Sequence, residues 1–128
     1  MTAVIPDALA AEIVAVLRGA GARFGLVRGS RVAGSARADS DVDVAAWWPD
    51  DPPPAFEVLL PSGVYLVVLN GAPLELAGRI ALDGRVLFDD DPPARVRWTA
   101  TMRKIYVDEQ PRLRRSHHEF AEALRRGR

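Results

Sequence analysis

A Gly-Ser pair and an Asp-x-Asp triplet, Gly29-Ser30 and Asp41-Val42-Asp43, lie between two apolar runs with ten residues separating them. Alternate residues of a strand point to the same face, so the spacing predicts two neighbouring carboxylates with valines opposite them. Adjacent carboxylates repel unless a cation lies between them, and Mg²⁺ usually takes one or two carboxylates plus water and substrate phosphates. Glycine lets a backbone approach a phosphate closely, and a serine hydroxyl can donate to it. The pattern therefore predicts a combined metal and phosphate site.

Chain length, net charge and cysteine content bear on the number of domains, the class of partner and the cellular compartment. The 128 residues predict one domain spanning 1–128, and 17 basic against 17 acidic residues give a net charge of +0. We therefore expect no direct nucleic-acid binding. Charge is nevertheless segregated, because residues 39–57 hold six acids and no Lys or Arg, whereas residues 112–128 hold six arginines. The chain has no cysteine and no apolar run near twenty residues, which predicts a cytoplasmic protein without a membrane span.

Hydrophobic periodicity and Pro/Gly punctuation divide the chain into alternating helices and strands. The alternation predicts an α/β (α+β) fold with a mixed sheet flanked by helices, including two C-terminal helices. In the last helix we expect Leu113, Phe120 and Leu124 to be buried, and of Trp47 and Trp48 we expect one in the core and one exposed. The predicted elements are a helix over 6–18, strands over 24–28, 41–48, 64–69 and 85–88, and helices over 74–82, 92–107 and 111–126.

The residues Gly-Ser-Arg-x-x-Gly-x-Ala-Arg-x-x-Ser-Asp-x-Asp at 29–43 resemble the signature of the DNA polymerase beta-like nucleotidyltransferase superfamily. They are most similar to its small bacterial branch, the minimal nucleotidyltransferases (MNT). A second stretch, Val64 to Pro73, resembles the third motif strand of the family and the turn after it. The resemblance covers about residues 23–110, and it implies that a helix usual before the third strand is shortened or lost here.

The resemblance implies a function. Proteins of this branch resemble antitoxins paired with all-helical HEPN ribonuclease toxins, and several family members transfer AMP from ATP to a tyrosine of that partner. By the same resemblance, Gly29, Ser30 and Arg31 would hold the nucleoside triphosphate. Asp41 and Asp43 would bind Mg²⁺, and together with Ser30 they would form the catalytic set.

One departure from the family pattern keeps three interpretations open. The second residue of the third motif strand is an aspartate in the family but Tyr65 here, and a tyrosine is a poor Mg²⁺ ligand at neutral pH. The chain is then an active nucleotidyltransferase that modifies a protein partner, or an inactive one that neutralises a toxin by contact. The third interpretation is a nucleotidyltransferase for a small molecule, whose chain would normally carry a further substrate-binding domain. The sequence leaves open which of these holds.

Overall fold

The computed structural model describes residues 5–28 and 41–126, and in these ranges the elements follow the predicted order. Apart from the C-terminal helix, every predicted boundary lies within one residue of the observed one. A 3₁₀ turn, Ala55–Glu57, lies between the second and third strands. The elements are α1 (Asp7–Gly19), β1 (Phe24–Arg28), β2 (Val42–Trp47), β3 (Val64–Val68), α2 (Leu74–Asp83), β4 (Arg85–Asp89) and α3 (Pro92–Arg126).

The four strands form one mixed sheet in the order β3-β2-β1-β4, which confirms the predicted fold class. β1 pairs antiparallel with β2 and β4, and β2 pairs parallel with β3. A parallel pair needs a crossover connection, which is usually a helix. Here the connection from β2 to β3 contains only the 3₁₀ turn, because prolines at 52–54 deny a helix its amide donors. The shortened connection expected from the sequence is therefore confirmed.

Helices cover both faces of the sheet. On one face, Ile13 and Leu17 of α1 are fully buried against a cluster that includes Val44 of β2. On the other face, Ile80 of α2 and Trp98 of α3 pack with the cluster around Phe24. Because helices cover both faces of the sheet, a functional site must lie at the ends or the edges of its strands.

The adjacent tryptophans at the end of β2 occupy opposite faces, yet neither is left exposed. Trp47 is half-buried and stacks on Phe24 with ring centroids 5.4 Å apart. Trp48 is buried, its Nε1 donates to the Ala20 carbonyl (3.0 Å), and its backbone exchanges two hydrogen bonds with the Asn70 side chain. The prediction of one exposed tryptophan is wrong because helices cover both faces at this end of the sheet.

The C-terminal region is one helix where the sequence predicted two, 92–107 and 111–126. α3 runs through Pro111, although a proline inside a helix removes one hydrogen bond and costs about 3 kcal/mol. Two side-chain pairs one turn apart support its continuation: Lys104–Asp108 precedes Pro111, and Gln110–Arg114 spans it.

Apolar periodicity also misplaced the buried residues of this helix. Phe120 and Leu124 are 66% and 51% exposed, and Leu113 is only half-buried. Tyr106 is the last buried residue of α3. Among the described residues, no helix is both long and apolar enough to cross a membrane.

β3 was predicted as a buried strand and is an edge strand instead. Its residues are half-buried except for Tyr65, which is 56% exposed. The apolar run Val64–Val68 gave no sign of this, because burial of a continuous apolar strand depends on a neighbour that the sequence pattern does not reveal.

Candidate active site

Asp43 lies in the middle of a row of three polar side chains that crosses the sheet. The strand register pairs it with Arg28 of β1 on one side and with Tyr65 of β3 on the other. Residues paired in register point to the same face, so a guanidinium, a carboxylate and a phenol stand next to one another. The position beside Asp43, where the family pattern has a third carboxylate, therefore holds a tyrosine.

Arg28 is the charged neighbour of Asp43. Its Nη1 lies 3.9 Å from Asp43 Oδ2, and the two side chains are 31% and 39% exposed. Solvent screens a pair this accessible, and such pairs contribute about 0–1 kcal/mol to stability. Arg28 thus neutralises part of the Asp43 charge and leaves the carboxylate accessible to a second cation.

Asp41 precedes β2 by one residue and is exposed. The chain next to it is tied to the turn before β3, because the Val42 amide donates to the Gly63 carbonyl (2.8 Å). Gly63 has φ 83°, and a Cβ built on it would lie 4.0 Å from Asp41 Oδ1. The structure therefore brings the two predicted metal ligands, Asp41 and Asp43, to the same end of β2.

The predicted phosphate-binding residues Gly29, Ser30 and Arg31 lie outside the described residues. Their assignment stays a prediction. The strand that leads to them ends at Arg28, which is directly opposite Asp43 in the sheet.

A cleft of about 270 Å³ opens beside Arg28, towards the start of α2. Arg79 of α2 shares this cleft, and its Nη2 lies 3.2 Å from Glu75 Oε1. The Tyr106 hydroxyl and the Glu75 carboxylate raise the pKa of Arg79, so this residue stays charged. Two guanidiniums that face one cleft attract phosphate groups. The cleft is lined by Arg28, Pro73, Glu75, Leu76 and Arg79.

Sequence reasoning missed both arginines of this cleft. Arg28 carried a usable signal, since it ends the strand directly before the Gly-Ser pair and so must lie near any ligand held there. Arg79 carried none, because its place depends on how α2 packs against the sheet.

The two carboxylates satisfy the minimum that Mg²⁺ requires of a protein. Mg²⁺ is usually held by one or two carboxylates, with water and substrate phosphates completing its octahedral shell. Across residues 5–28 and 41–126 there is no group of three or more His, Cys, Asp or Glu side chains that could hold a metal ion. Asp41 and Asp43 therefore fit a Mg²⁺ ion that arrives with a nucleotide, and they do not form a complete cage for a free ion.

The sequence matches no protein-family model and no curated protein. Solved structures do match its fold. The toxin–antitoxin structure MntA–HepT contains a chain that is 17% identical, with a TM-score of 0.71 over 91% of this chain and 99% of that one.

Two further solved structures contain a nucleotide analogue or an AMPylated toxin. A toxin–antitoxin structure with AMP-PNP matches at 21% identity and a TM-score of 0.64, over 84% of this chain and 98% of that one. A complex of a tri-AMPylated Shewanella oneidensis HEPN toxin with an MNT antitoxin matches at 20% identity and a TM-score of 0.61, over 87% and 98%. The resemblance drawn from the Gly-Ser and Asp-x-Asp residues is thus confirmed at the level of the fold: this chain has the fold of chains found in solved MNT–HEPN toxin–antitoxin complexes.

Proposed function

We propose that this protein is a cytoplasmic antitoxin that neutralises a HEPN-type toxin, and that it does so by transferring AMP from ATP to the toxin. The fold supports the antitoxin role, since its solved neighbours are MNT antitoxins in complexes with HEPN toxins. The observation that carries the chemistry is the placement of Asp41 and Asp43 at one end of β2, beside the arginine-lined cleft.

In this proposal some residues balance the charge of the triphosphate and others hold it in position. Asp41 and Asp43 would hold Mg²⁺, which when bound neutralises charge on the triphosphate. Arg28 and Arg79 attract the phosphates towards the cleft, and Gly29, Ser30 and Arg31, which follow β1 in the chain, would bind them. Positioning and electrostatics supply most of the catalysis in phosphoryl-transfer reactions.

The reaction has a simple balance. A hydroxyl oxygen of the toxin attacks the α-phosphorus of ATP, the bond from that phosphorus to the bridging oxygen breaks, and pyrophosphate leaves. The hydroxyl proton passes to solvent or to a neighbouring carboxylate. A toxin that carries AMP on such a hydroxyl has gained the charge and bulk of a phosphodiester.

The test is co-expression of this chain with the product of the gene adjacent to its own, which this proposal requires to be a HEPN-type toxin. We expect growth to be rescued, and intact-mass spectrometry to find the toxin heavier by one or more AMP groups. The variant Asp41→Asn/Asp43→Asn, which keeps the shape of both side chains, should leave the toxin unmodified. An unmodified toxin with the wild-type protein contradicts AMP transfer, and a toxin that stays active contradicts the antitoxin role as well.

One observation favours a second candidate, neutralisation by contact alone. Tyr65 beside Asp43 leaves the site one carboxylate short of the family pattern. A protein of this kind would form a stable complex with the toxin and stop it without modification. The two candidates separate in the same experiment, because the asparagine variant would then rescue growth as well as the wild type does.

A further inference from the structure

An exposed apolar patch adjoins the candidate active site on the side of β3. It consists of Phe56 and Leu59, each 82% exposed, and Tyr65, which is 56% exposed. These side chains border a cleft of about 300 Å³ between the 3₁₀ turn and β3. Large apolar side chains grouped around a concave surface are typical of protein interaction sites.

The patch is held in place by the core beneath it. Val58 lies between Phe56 and Leu59 in the chain and is buried in the core cluster under α1. The amides of Glu57 and Val58 donate to the carbonyls of Pro54 (3.0 Å) and Ala55 (3.1 Å). Because Val58 is anchored inward and the backbone of the 3₁₀ turn is hydrogen-bonded, the backbone that carries Phe56 and Leu59 is held in place and needs little ordering when a partner binds.

The charge around the patch selects the partner. Glu57 lies between the two apolar residues, Asp50 and Asp51 precede them, and all three are exposed. No Lys or Arg occurs between residues 39 and 57. A partner that buries Phe56 and Leu59 therefore gains electrostatically if it is basic, and an acidic partner is repelled.

The position of the patch ties it to the chemistry. Tyr65 belongs both to the patch and to the row that contains Asp43. A segment docked on Phe56 and Leu59 therefore contacts β3, the strand next to the one that carries Asp43. The tyrosine that departs from the family pattern adds an aromatic ring to this surface, and tyrosine is among the residues enriched in interface hot spots.

We propose that this surface, Phe56, Leu59 and Tyr65, docks a basic segment of the toxin that presents an apolar side chain to the cleft. The inference rests on the proposed antitoxin function and deepens it by assigning the contact surface. A second exposed apolar pair, Phe120 and Leu124 near the end of α3, lies among arginines and borders none of the described clefts. That pair provides a matched control.

The test measures binding of the purified toxin identified by the co-expression experiment to three forms of the full chain. For Phe56→Ser/Leu59→Ser we expect at least about a tenfold rise in Kd, which corresponds to 1.4 kcal/mol. For the control Phe120→Ser/Leu124→Ser we expect a Kd within about twofold of the wild type, since contacts outside the interface are near-neutral. Both pairs are exposed, so neither change should alter the circular dichroism spectrum or the unfolding midpoint.

Charge gives a second, independent measurement. Glu57→Lys should weaken toxin binding and flatten its dependence on salt, because the acidic surface attracts a basic segment. An unchanged Kd for the Phe56/Leu59 variant, or a loss confined to the Phe120/Leu124 variant, overturns this inference while leaving the antitoxin function intact. A wild-type chain that does not bind the toxin overturns both. A concentration-dependent dimer that the Phe56/Leu59 variant abolishes would also overturn it, because the patch would then bind a second copy.

Discussion

Tyr65 occupies the position at which the resemblance to nucleotidyltransferases implies a carboxylate. Its exposure in the structure determines how much stability a substitution to aspartate would lose. The side chain is 56% exposed, so an aspartate would not be buried and should destabilise the fold by no more than about 1 kcal/mol. The register with Asp43 would aim the new carboxylate at the same metal position.

We therefore predict that Tyr65→Asp raises the rate of AMP transfer by at least about tenfold, which is 1.4 kcal/mol of barrier. The matched control is Tyr65→Asn, because asparagine has nearly the same shape as aspartate and carries no charge. Transfer of labelled AMP from ATP to the co-expressed toxin measures the rate. Equal rates for the two variants would show that a third carboxylate does not limit the chemistry.

Arg28 supports a prediction about metal affinity that does not depend on turnover. Its guanidinium, 3.9 Å from Asp43, competes with any cation for that carboxylate. Arg28→Gln should tighten binding of Mn²⁺, used as a spectroscopic substitute for Mg²⁺, by about threefold to tenfold, in line with a partly screened pair worth about 1 kcal/mol.

The measurement is a titration of free Mn²⁺ by electron paramagnetic resonance in the absence of nucleotide. Arg85→Gln serves as the control, because Arg85 is an exposed residue of β4, the far edge strand, and pairs with Val27. Weaker Mn²⁺ binding by Arg28→Gln would mean that the arginine organises the site and does not compete for it.

Among the elements, the packing of α2 on α3 depends on one glycine. A Cβ added at Gly78 would lie well inside van der Waals contact with the ring of Tyr106, which is buried. Gly78→Ala should lower the free energy of unfolding by about 1–3 kcal/mol, since overpacking outweighs the better helix propensity of alanine.

Urea denaturation measures this change directly. Gly19→Ala is the control, because Gly19 ends α1 and a Cβ there would meet nothing within 4 Å. We expect that variant to be neutral or slightly stabilised. Equal midpoints for both variants would mean that α3 can shift away from α2 without loss.

A second link between elements titrates with pH. Arg18 of α1 donates twice to Asp90, from Nε to Oδ2 and from Nη2 to Oδ1, each at 2.8 Å. The hydrogen bonds from Arg18 lower the pKa of Asp90 in the folded protein. A carboxylate with a lowered folded pKa contributes stability above its unfolded pKa of about 3.9, and loses it as the pH falls through the folded value.

Asp90→Asn should therefore cost stability at neutral pH and progressively less as the pH falls below about 4. Urea midpoints between neutral and acidic pH measure the difference. Arg18→Gln should behave in the same way, and the double variant should be no worse than either single one. Additive losses from the two changes would show that the residues act independently.

At the scale of the molecule, the sequence predicted the features that depend on local residue patterns. It missed those that depend on which elements of the fold lie next to one another. Alternation around Asp43, the prolines at 52–54 and the apolar runs were sufficient for the order of elements and the lost crossover helix. The pairing of Arg28 with Asp43 could not be read, because it depends on the register between two strands. The exposure of Phe120 was missed because an apolar stripe shows which face could be buried and not whether a surface is there to bury it.

The last prediction concerns the stability of the whole chain. A ligand that binds only the folded protein stabilises it by RT ln(1 + [L]/Kd), about 2.7 kcal/mol when present at a hundred times its Kd. For a domain of this size we expect ATP with Mg²⁺ to raise Tm by about 10 °C under that condition. ATP with a chelator should give a smaller shift, because Asp41 and Asp43 then meet the phosphates as bare negative charges.

The matched variant is Asp41→Asn/Asp43→Asn. Without ligand it should be as stable as the wild type or more so, because the repulsion between two carboxylates is relieved. With ATP and Mg²⁺ it should lose most of the shift, and calorimetry should report the same loss in affinity. An equal rise in Tm for both proteins would show that the nucleotide is held without the two carboxylates, by the cleft shared by Arg28 and Arg79. The variant Arg28→Gln/Arg79→Gln would then abolish the shift.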